Sequence, residues 1–420
     1  MEGITIDNFL VVKRAKFEIN RINVIIGPQA LGKSVVAKVA FFLRNCSGYF
    51  IEGCIKENTL LDISKKIKID FLSRFPKYTW NGTNFAIEYY NGSISIKIIG
   101  VKSKSKNNTT IKVSYNKRLK AIYNKNRTLY RKKVESINAS ESKDASDELF
   151  GFFYSDIKMK LFESEETSFF KETVFIPASR SFFSNLQKNI FLFLSSNIDI
   201  DPFLKDFGSQ YEMAKKMYKR GILEKESFRG NMNENINELF GRILKGQYRS
   251  RDDQDWIFSA KERKIINVLN ASSGQQESLP FLLVLIVFSR FMENDFFFIE
   301  EPEAHLFTDS QSQIVSLLSE LYKEDTRFFI TTHSPYILTT LNNMIYANDV
   351  VGSDADKLAK FKKINGGGEP IKFEDVSAYT IKNGILESIL DTKYRMINSA
   401  HLDGVSDRIE EVMDNLMEMD

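Results

Sequence analysis

A glycine-bounded loop near the start of the chain has the residue types needed to bind a phosphate. Gly27 to Ser34 follow the spacing G-x-x-x-x-G-K-S, and the residues between the two glycines are Pro28, Gln29, Ala30 and Leu31. Gly27 and Gly32 allow the backbone to turn its N–H groups toward a phosphate. Lys33 can reach the β- and γ-phosphates of a nucleotide, and the Ser34 hydroxyl is placed for Mg²⁺. The alternative is a glycine turn that happens to precede a lysine.

The elements predicted on either side of this loop favour the phosphate site. Val24 to Ile26 form a short apolar run that predicts a buried parallel strand. Val35 to Leu43 predict a helix, whose N-terminus adds a partial positive charge beside the loop. Strand, loop and helix therefore occur in the order that a P-loop requires, with Val35 as the last residue of the expected binding stretch.

A second candidate site is a turn of small residues in the last third of the chain. It consists of Ser272, Ser273, Gly274 and Gln275 and precedes an apolar helix predicted over 278–291. A serine hydroxyl at a helix N-terminus makes a second phosphate-binding surface. On its own, the same turn would be a helix cap.

Two further buried strands are predicted to end in residues capable of acid–base chemistry. Phe296 to Ile299 lead into Glu300 and Glu301. Because side chains alternate along a strand, Glu300 can face Mg²⁺ while Glu301 faces an attacking water. The run 328–332 leads into His333, which can donate to a γ-phosphate or hold that water. A single histidine is more often structural, so the ordered set of motifs carries the prediction.

The overall composition is that of an ordinary soluble protein. The 420 residues are 43% hydrophobic and 27% charged, with a net charge of +3. Cys46 and Cys54 lack metal-ligand spacing, which indicates a reducing compartment. No signal peptide is evident, and the longest apolar run, 279–288, is too short to span a bilayer. We therefore expect a cytoplasmic protein with no membrane association.

The region 66–123 is predicted to contain antiparallel strands, and it overlaps a strongly basic stretch. Two alternating runs flank Asn91-Gly92, which predicts a β-hairpin, and 111–115 predicts a third strand. Lys102 to Lys133 carry twelve basic and no acidic residues. This stretch is either a contact surface for a nucleic-acid backbone or a solvated lobe. Further on, Val174 to Ser181 predict a strand that ends in a polar turn. Arg180 in that turn is a candidate for γ-phosphate sensing, for a partner contact or for a salt bridge.

The order of P-loop, serine–glycine–glutamine turn, carboxylate strand and histidine strand resembles the ABC-type ATPase superfamily. Within it, the chain is similar to the non-transporter branch of chromosome-maintenance, RecF-type and overcoming-lysogenisation-defect heads. Glu300 to Leu306 with Thr332 to Pro335 are most similar to AAA ATPases of bacterial anti-phage operons. The resemblance implies an α/β fold: an ABC-type P-loop ATPase head with a mixed sheet, an antiparallel β insertion and a helical subdomain.

The resemblance also assigns roles to residues. Gly27, Gly32, Lys33 and Ser34 match Walker A, while Ser272, Gly274 and Gln275 match the signature loop that contacts ATP on a partner subunit. Glu300 takes the Walker B position, and Glu301 matches the catalytic glutamate. His333 matches the switch histidine, and Glu303 to His305 fall in the D-loop. Three departures are Ser273 in place of a glycine, Glu300 in place of aspartate, and Arg180 near the expected Q-loop glutamine. They predict slow hydrolysis, or ATP binding used as a holding state.

Five segments are expected along the chain. They are 1–65, a first ATPase lobe with the P-loop; 66–150, the basic β insertion; 151–180, a return to the core; 181–260, a helical subdomain; and 261–420, a second lobe ending in a strand pair and an acidic helix, 407–420. That helix is a candidate docking element.

The implied function is a dimerising switch that uses ATP and Mg²⁺. Two copies, or a higher homo-oligomer, would sandwich ATP and control a separate effector, a nuclease or toxin, in response to a phage-encoded trigger. The main alternative is a DNA repair or recombination ATPase that binds DNA directly. Two further alternatives are a transporter nucleotide-binding subunit and a binding module that does not hydrolyse ATP. A fused nuclease is disfavoured because only 87 residues follow His333 (420 − 333).

Overall fold

The structure is a computed structural model that describes residues 1–104, 108–140, 145–162, 167–183, 200–219, 234–251, 254–259, 264–291 and 295–398. Three predictions of the sequence fall wholly or partly outside these ranges. They are Lys106 of the basic stretch, parts of the helical subdomain, and the acidic helix 407–420.

Eleven strands form one mixed sheet in the order β6-β5-β4-β1-β2-β14-β13-β3-β12-β11-β7. Their bounds are β1 Glu2–Phe9, β2 Val12–Glu18, β3 Ile22–Ile26, β4 Phe85–Asn91, β5 Ile94–Lys102, β6 Thr109–Tyr115, β7 Thr173–Ile176, β11 Phe296–Glu300, β12 Arg327–Thr332, β13 Val376–Lys382 and β14 Ile385–Ser388. Strands β13, β3, β12, β11 and β7 are paired parallel to one another, and β14 is antiparallel to β13. On the other side, β2, β1, β4, β5 and β6 are paired antiparallel.

Smaller sheets and helices surround this layer. A three-stranded meander consists of β8 Gln247–Arg251, β9 Gln254–Ser259 and β10 Lys264–Asn267, and a hairpin of β15 Leu390–Asp391 and β16 Met396–Ile397. The α-helices are α1 Lys33–Asn45, α2 Ser47–Ile55, α3 Leu60–Arg74, α4 Lys117–Ser140, α5 Ala145–Phe152, α6 Met159–Phe162, α7 Thr167–Phe170, α8 Pro202–Lys219, α9 Glu234–Leu244, α10 Ser273–Phe291, α11 Thr308–Lys323, α12 Pro335–Val351 and α13 Ala355–Asn365. The predicted α/β class with a mixed sheet is confirmed.

The strands β3, β7 and β11 are buried on both faces of the sheet, which explains why they are largely apolar. In β11, Phe297 and Ile299 join one hydrophobic cluster, with α10 and α11, whereas Phe296 and Phe298 join the other, with α1 and α3. Residues of β3 divide in the same way, with Val24 on the first side and Ile25 on the second. Parallel strands covered by helices on both faces lose the polar–apolar alternation of an exposed sheet. These two layers hold the carboxyl ends of β3, β11 and β12 at one edge.

Four features of the structure differ from the sequence predictions or were not specified by them. The strands predicted over 85–115 form as expected, but β4 pairs with β1, so they extend the main sheet and do not form a separate one. Most of the basic stretch is the helix α4. Strand β7 lies at the sheet edge beside β11 and does not neighbour the P-loop strand β3. The described part of 181–251 contains α8 and α9 but ends in the strand β8, where helix was expected.

Candidate active site

The P-loop connects β3 to α1 with a backbone that only glycine tolerates easily at two positions. Gly27 has φ 151° and Gly32 has φ 102°, and Ala30 between them is left-handed at φ 63°. A Cβ on Gly32 would lie 2.8 Å from Val11 Cγ2, so space as well as conformation excludes a side chain there. The helix α1 begins at Lys33, directly after the second glycine.

The Lys33 ammonium is held inside the loop by three acceptors. Lys33 Nζ donates to Gly27 O at 2.6 Å and to Pro28 O at 2.7 Å, and lies 3.1 Å from His333 Nδ1. Burial lowers the pKa of Lys33 to about 8, and the charges of Glu301 and Glu303 partly offset that effect. All three protons of the ammonium are therefore used within the protein, so a phosphate bound in the loop would replace at least one of these acceptors.

His333 connects the P-loop lysine to Glu301. Because an ammonium can only donate, His333 Nδ1 accepts, and the ring proton lies on Nε2. His333 Nε2 is 2.8 Å from Glu301 Oε1, so the imidazole donates to that carboxylate. Glu301 itself has φ 44°, a strained conformation for a residue with a Cβ, and its N–H donates to Thr331 O at 2.9 Å. Lysine, histidine and carboxylate form one continuous array.

Glu300 faces away from this array and toward Ser34. Its side chain is buried, and burial raises the pKa of its carboxyl, an effect that Lys38 and the Ser34 hydroxyl partly offset. Among the described residues no donor lies within hydrogen-bond distance of Glu300 Oε1. An unpaired buried oxygen beside a serine hydroxyl is the donor set that suits Mg²⁺, with the remaining ligands coming from phosphate and water. Within the described ranges, no group of three His, Cys, Asp or Glu forms a metal site by itself.

The Ser272–Gln275 turn is not hydrogen-bonded to this array. Ser272 precedes α10, its N–H and hydroxyl donate to Gln275 Oε1 at 3.3 and 3.2 Å, and Gln275 Nε2 donates to Leu244 O at 3.0 Å. Ser272 therefore caps the start of α10. Ser272 and Ser273 are both exposed. A Cβ on Gly274 would lie 2.8 Å from His305 O, so this turn packs directly on the loop that follows the two carboxylates.

Arg180 forms a buried salt bridge, which was one of its three predicted roles. Its guanidinium donates from Nε to Glu277 Oε2 at 3.2 Å, and its Nη atoms donate to Glu300 O at 3.2 Å and Glu301 O at 2.9 Å. Both side chains of the pair are 1% exposed. Sequence analysis missed Glu277, although a carboxylate one turn into an apolar helix signals a buried partner.

No α-helix in the described part of the chain is long and apolar enough to cross a membrane.

The chain matches one protein family. A family model described as "AAA ATPase domain" matches residues 1–338, which include the P-loop, both carboxylates and His333. No curated protein matches the chain.

Solved structures that resemble the chain include three heads of one kind. The SMC head domain from Thermotoga maritima is 12% identical, covers 92% of this chain and 97% of its own, and has a TM-score of 0.36. An SmcHead bound to the C-winged helix domain of ScpA is 11% identical over 92% and 96%, with a TM-score of 0.42. An Smc head with an extended coiled coil, bound to the C-terminal domain of ScpA from Pyrococcus furiosus, is 12% identical over 98% and 100%, with a TM-score of 0.38. These three structures superpose only loosely on the chain, and they support no conclusion about the partners of this protein.

Proposed function

We propose that this chain, which belongs to the AAA ATPase domain family, hydrolyses ATP in a composite site and acts as a dimerising switch. The observation that supports this most strongly is the array of Lys33, His333 and Glu301 at the carboxyl ends of three neighbouring strands. A phosphate-binding cation, a proton-transferring ring and a carboxylate able to orient water are the groups that phosphoryl transfer to water requires.

Each residue then has one task. The P-loop backbone from Gly27 to Val35 and the Lys33 ammonium bind the phosphates, and Glu301 accepts a proton from the attacking water. His333 holds Glu301 through Nε2, and when Lys33 moves onto the phosphates the Nδ1 edge of the ring is released toward the γ-phosphate. Ser34 and Glu300 would hold Mg²⁺, which supplies neutralisation of phosphate charge when bound.

A second copy of the chain completes the site. Ser272 and Ser273 are exposed at the start of a helix, where hydroxyl and N–H groups can meet a phosphate presented by another subunit. Within one chain, Gln275 donates to Leu244 O and Gly274 packs on the loop at His305, and no hydrogen bond among the described residues joins this turn to the Lys33 array. ATP would then join two subunits, and hydrolysis would release them.

Mixing two inactive variants tests the composite site. Lys33→Ala disables the P-loop of its own chain, and Ser272→Arg disables only the surface offered to the partner. In an equal mixture with random pairing, half of the dimers carry one intact site of two, so about a quarter of the wild-type ATPase rate should return. A mixture as inactive as its components, with both variants folded, would contradict sharing between subunits.

The base is tested separately with Glu301→Gln, which keeps the size of the side chain. We expect ATP binding to persist, turnover to fall by roughly 100-fold or more, and dimers to accumulate with ATP in light scattering. Normal hydrolysis by this variant would show that Glu301 is not the base.

For the biological role, we propose a cytoplasmic switch in bacterial anti-phage defence that controls a separate nuclease or toxin after a phage-encoded trigger. The support is the similarity of Glu300–Leu306 and Thr332–Pro335 to ATPases of such operons. Phage challenge of cells carrying the gene with its neighbours should show protection that Glu301→Gln abolishes. Equal plaque counts with and without the wild-type locus would remove this proposal.

Direct DNA binding is the second candidate, and α4 is the observation that favours it. Leu119, Tyr123, Tyr130 and Ile137 bury one side of this helix. The other side exposes six basic residues, Lys117, Arg118, Lys120, Lys125, Arg131 and Lys132. Such a face matches the charge of a phosphate backbone.

Charge reversal distinguishes this surface from a merely solvated one. If Lys125 and Lys132 each contact a phosphate, Lys125→Glu with Lys132→Glu should lower duplex affinity and reduce the slope of log K against log salt by roughly 1.8. The matched control reverses Lys360 and Lys363, which are exposed on α13. Equal losses in both variants would indicate a nonspecific charge effect.

A further inference from the structure

Glu303 makes contacts that its place in the D-loop does not explain. It follows Glu301 by two residues, yet its carboxylate reaches across to the end of the neighbouring strand β12. Glu303 Oε1 accepts a hydrogen bond from the backbone N–H of His333 at 2.7 Å and another from Thr332 Oγ1 at 2.8 Å. Hydrogen bonds to an ionised acceptor are about twice as strong as neutral ones.

The contacts of Glu303 fix the backbone turn at 332–334 as a whole. The Thr332 hydroxyl that donates to Glu303 also accepts from Ser334 N at 2.9 Å. One carboxylate thereby holds the peptide on each side of His333. In the other direction, Leu306 N donates to Glu303 O at 3.0 Å and Ala304 N to Glu301 O at 3.1 Å, so Glu303 stands in a tight turn directly after Glu301.

The position of His333 matters because both ring nitrogens are used. Nδ1 is 3.1 Å from Lys33 Nζ, and Nε2 is 2.8 Å from Glu301 Oε1. A shift of the His333 backbone by 1 Å would break at least one of these contacts, and misplacements of that size cost about 100-fold in rate. The other oxygen of Glu303, Oε2, is buried and has no hydrogen-bond partner among the described residues. A buried acceptor left unpaired is costly, so this carboxylate is not explained by stability alone.

We propose that Glu303 is a positioning residue for ATP hydrolysis, which holds the backbone at His333 so that the imidazole meets Lys33 and Glu301 together. It does not need to touch the nucleotide. This inference rests on the proposed ATPase function and adds a residue to it.

The first test separates turnover from binding. Glu303→Ala should lower kcat by about 10- to 100-fold while ATP affinity changes less than about threefold. Glu303→Gln keeps an acceptor with the same reach and should retain most of kcat. Glu387→Gln, on the exposed side of β14, is the matched control and should equal wild type.

A double-mutant cycle distinguishes positioning from general damage. If Glu303 acts through the histidine, Glu303→Ala should cost little more in a His333→Ala background. A full additional loss there, or a fall in affinity with kcat unchanged, would overturn the proposal.

Thr332→Val provides a second route if Glu303→Ala does not fold. It removes one of the two donors to Glu303 Oε1 without adding volume, and we expect a smaller fall in kcat that is also absent in the His333→Ala background. Wild-type turnover in Thr332→Val would overturn the positioning role. Absence of ATP hydrolysis by the wild-type protein itself would instead reject the proposed function, so the two failures are distinguishable.

Discussion

Removing the carboxylate of Glu277 should destabilise the protein more than most single substitutions. This side chain accepts from Arg180 N at 2.8 Å, from Arg180 Nε at 3.2 Å and from Ser181 N at 3.0 Å. The Arg180 guanidinium also lies 5.3 Å from the centre of the Phe281 ring. In Glu277→Ala, a buried cation and two backbone donors would lose their acceptor together.

The expected cost follows from those three lost contacts. An unpaired buried donor costs about 1–3 kcal/mol, and breaking a buried ion pair from one side costs about 3–5 kcal/mol. We take about 4 kcal/mol as the expected loss in unfolding free energy, a large part of the roughly 5–15 kcal/mol of a typical protein. Replacing both partners, as Arg180→Met with Glu277→Leu, removes the charge and should cost clearly less than the sum of the single changes.

Urea denaturation of the two single variants and the double variant measures this coupling. Burial favours the neutral form of Glu277, but Arg180 and the backbone donors outweigh it and hold the pKa below its usual value. A carboxyl with a lowered pKa stabilises the fold above its unfolded pKa, and that stabilisation is lost as the pH falls through the folded value. The difference in unfolding free energy between the wild type and Glu277→Ala should therefore become smaller at low pH. A cost below about 1 kcal/mol at neutral pH, or strictly additive variants, would refute the reasoning.

Three other perturbations have definite expected outcomes. Lys33→Ala should abolish ATP binding in calorimetry while leaving the melting temperature within a few degrees, and tight binding by this variant would contradict the assignment. Gly274→Ala should lower ATPase activity because its Cβ would lie 2.8 Å from His305 O; unchanged activity would show that the turn adjusts freely. Burial raises the pKa of Glu2, but the buried Arg44 and the partly exposed Arg327 outweigh that effect and lower the pKa from 4.5 to about 2. Glu2 should therefore contribute about 3 kcal/mol to the unfolding free energy at neutral pH. In pH-dependent unfolding, the deficit of Glu2→Gln should vanish as the pH falls from 4.5 toward 2; a deficit independent of pH would contradict this.

The local parts of the fold were predictable because their signals lie within short windows. The P-loop strand, the hairpin at Asn91-Gly92, the apolar helix α10 and the pair β13–β14 all form near their predicted positions. Boundaries shifted: β3 begins at Ile22, two residues before the predicted Val24, and α10 begins at Ser273, five residues before the predicted start at 278. Strand ends depend on pairing partners, and the sequence of one strand does not contain that information.

Long-range partners were not predictable from one chain. Nothing near Arg180 indicates that Glu277, 97 positions later, supplies its counter-charge, or that Glu303 holds the strand end at His333. Buried polar pairs are satisfied across elements, so their signal is spread over distant positions. The five segment boundaries and the roles of the site residues stay predictions, and contact between Ser272 and another subunit is a property of an assembly.

The place of β13 in the sheet has a consequence for synthesis of the protein. This strand, residues 376–382, pairs with β3 along its length, and Thr380 Oγ1 comes within 3.4 Å of where a Gly27 Cβ would be. A nascent chain released before this strand emerges from the ribosome would leave one side of β3 without hydrogen-bond partners. Nucleotide binding would then require translation through residue 382, so a product terminated before that point could not compete with finished subunits for ATP or for each other.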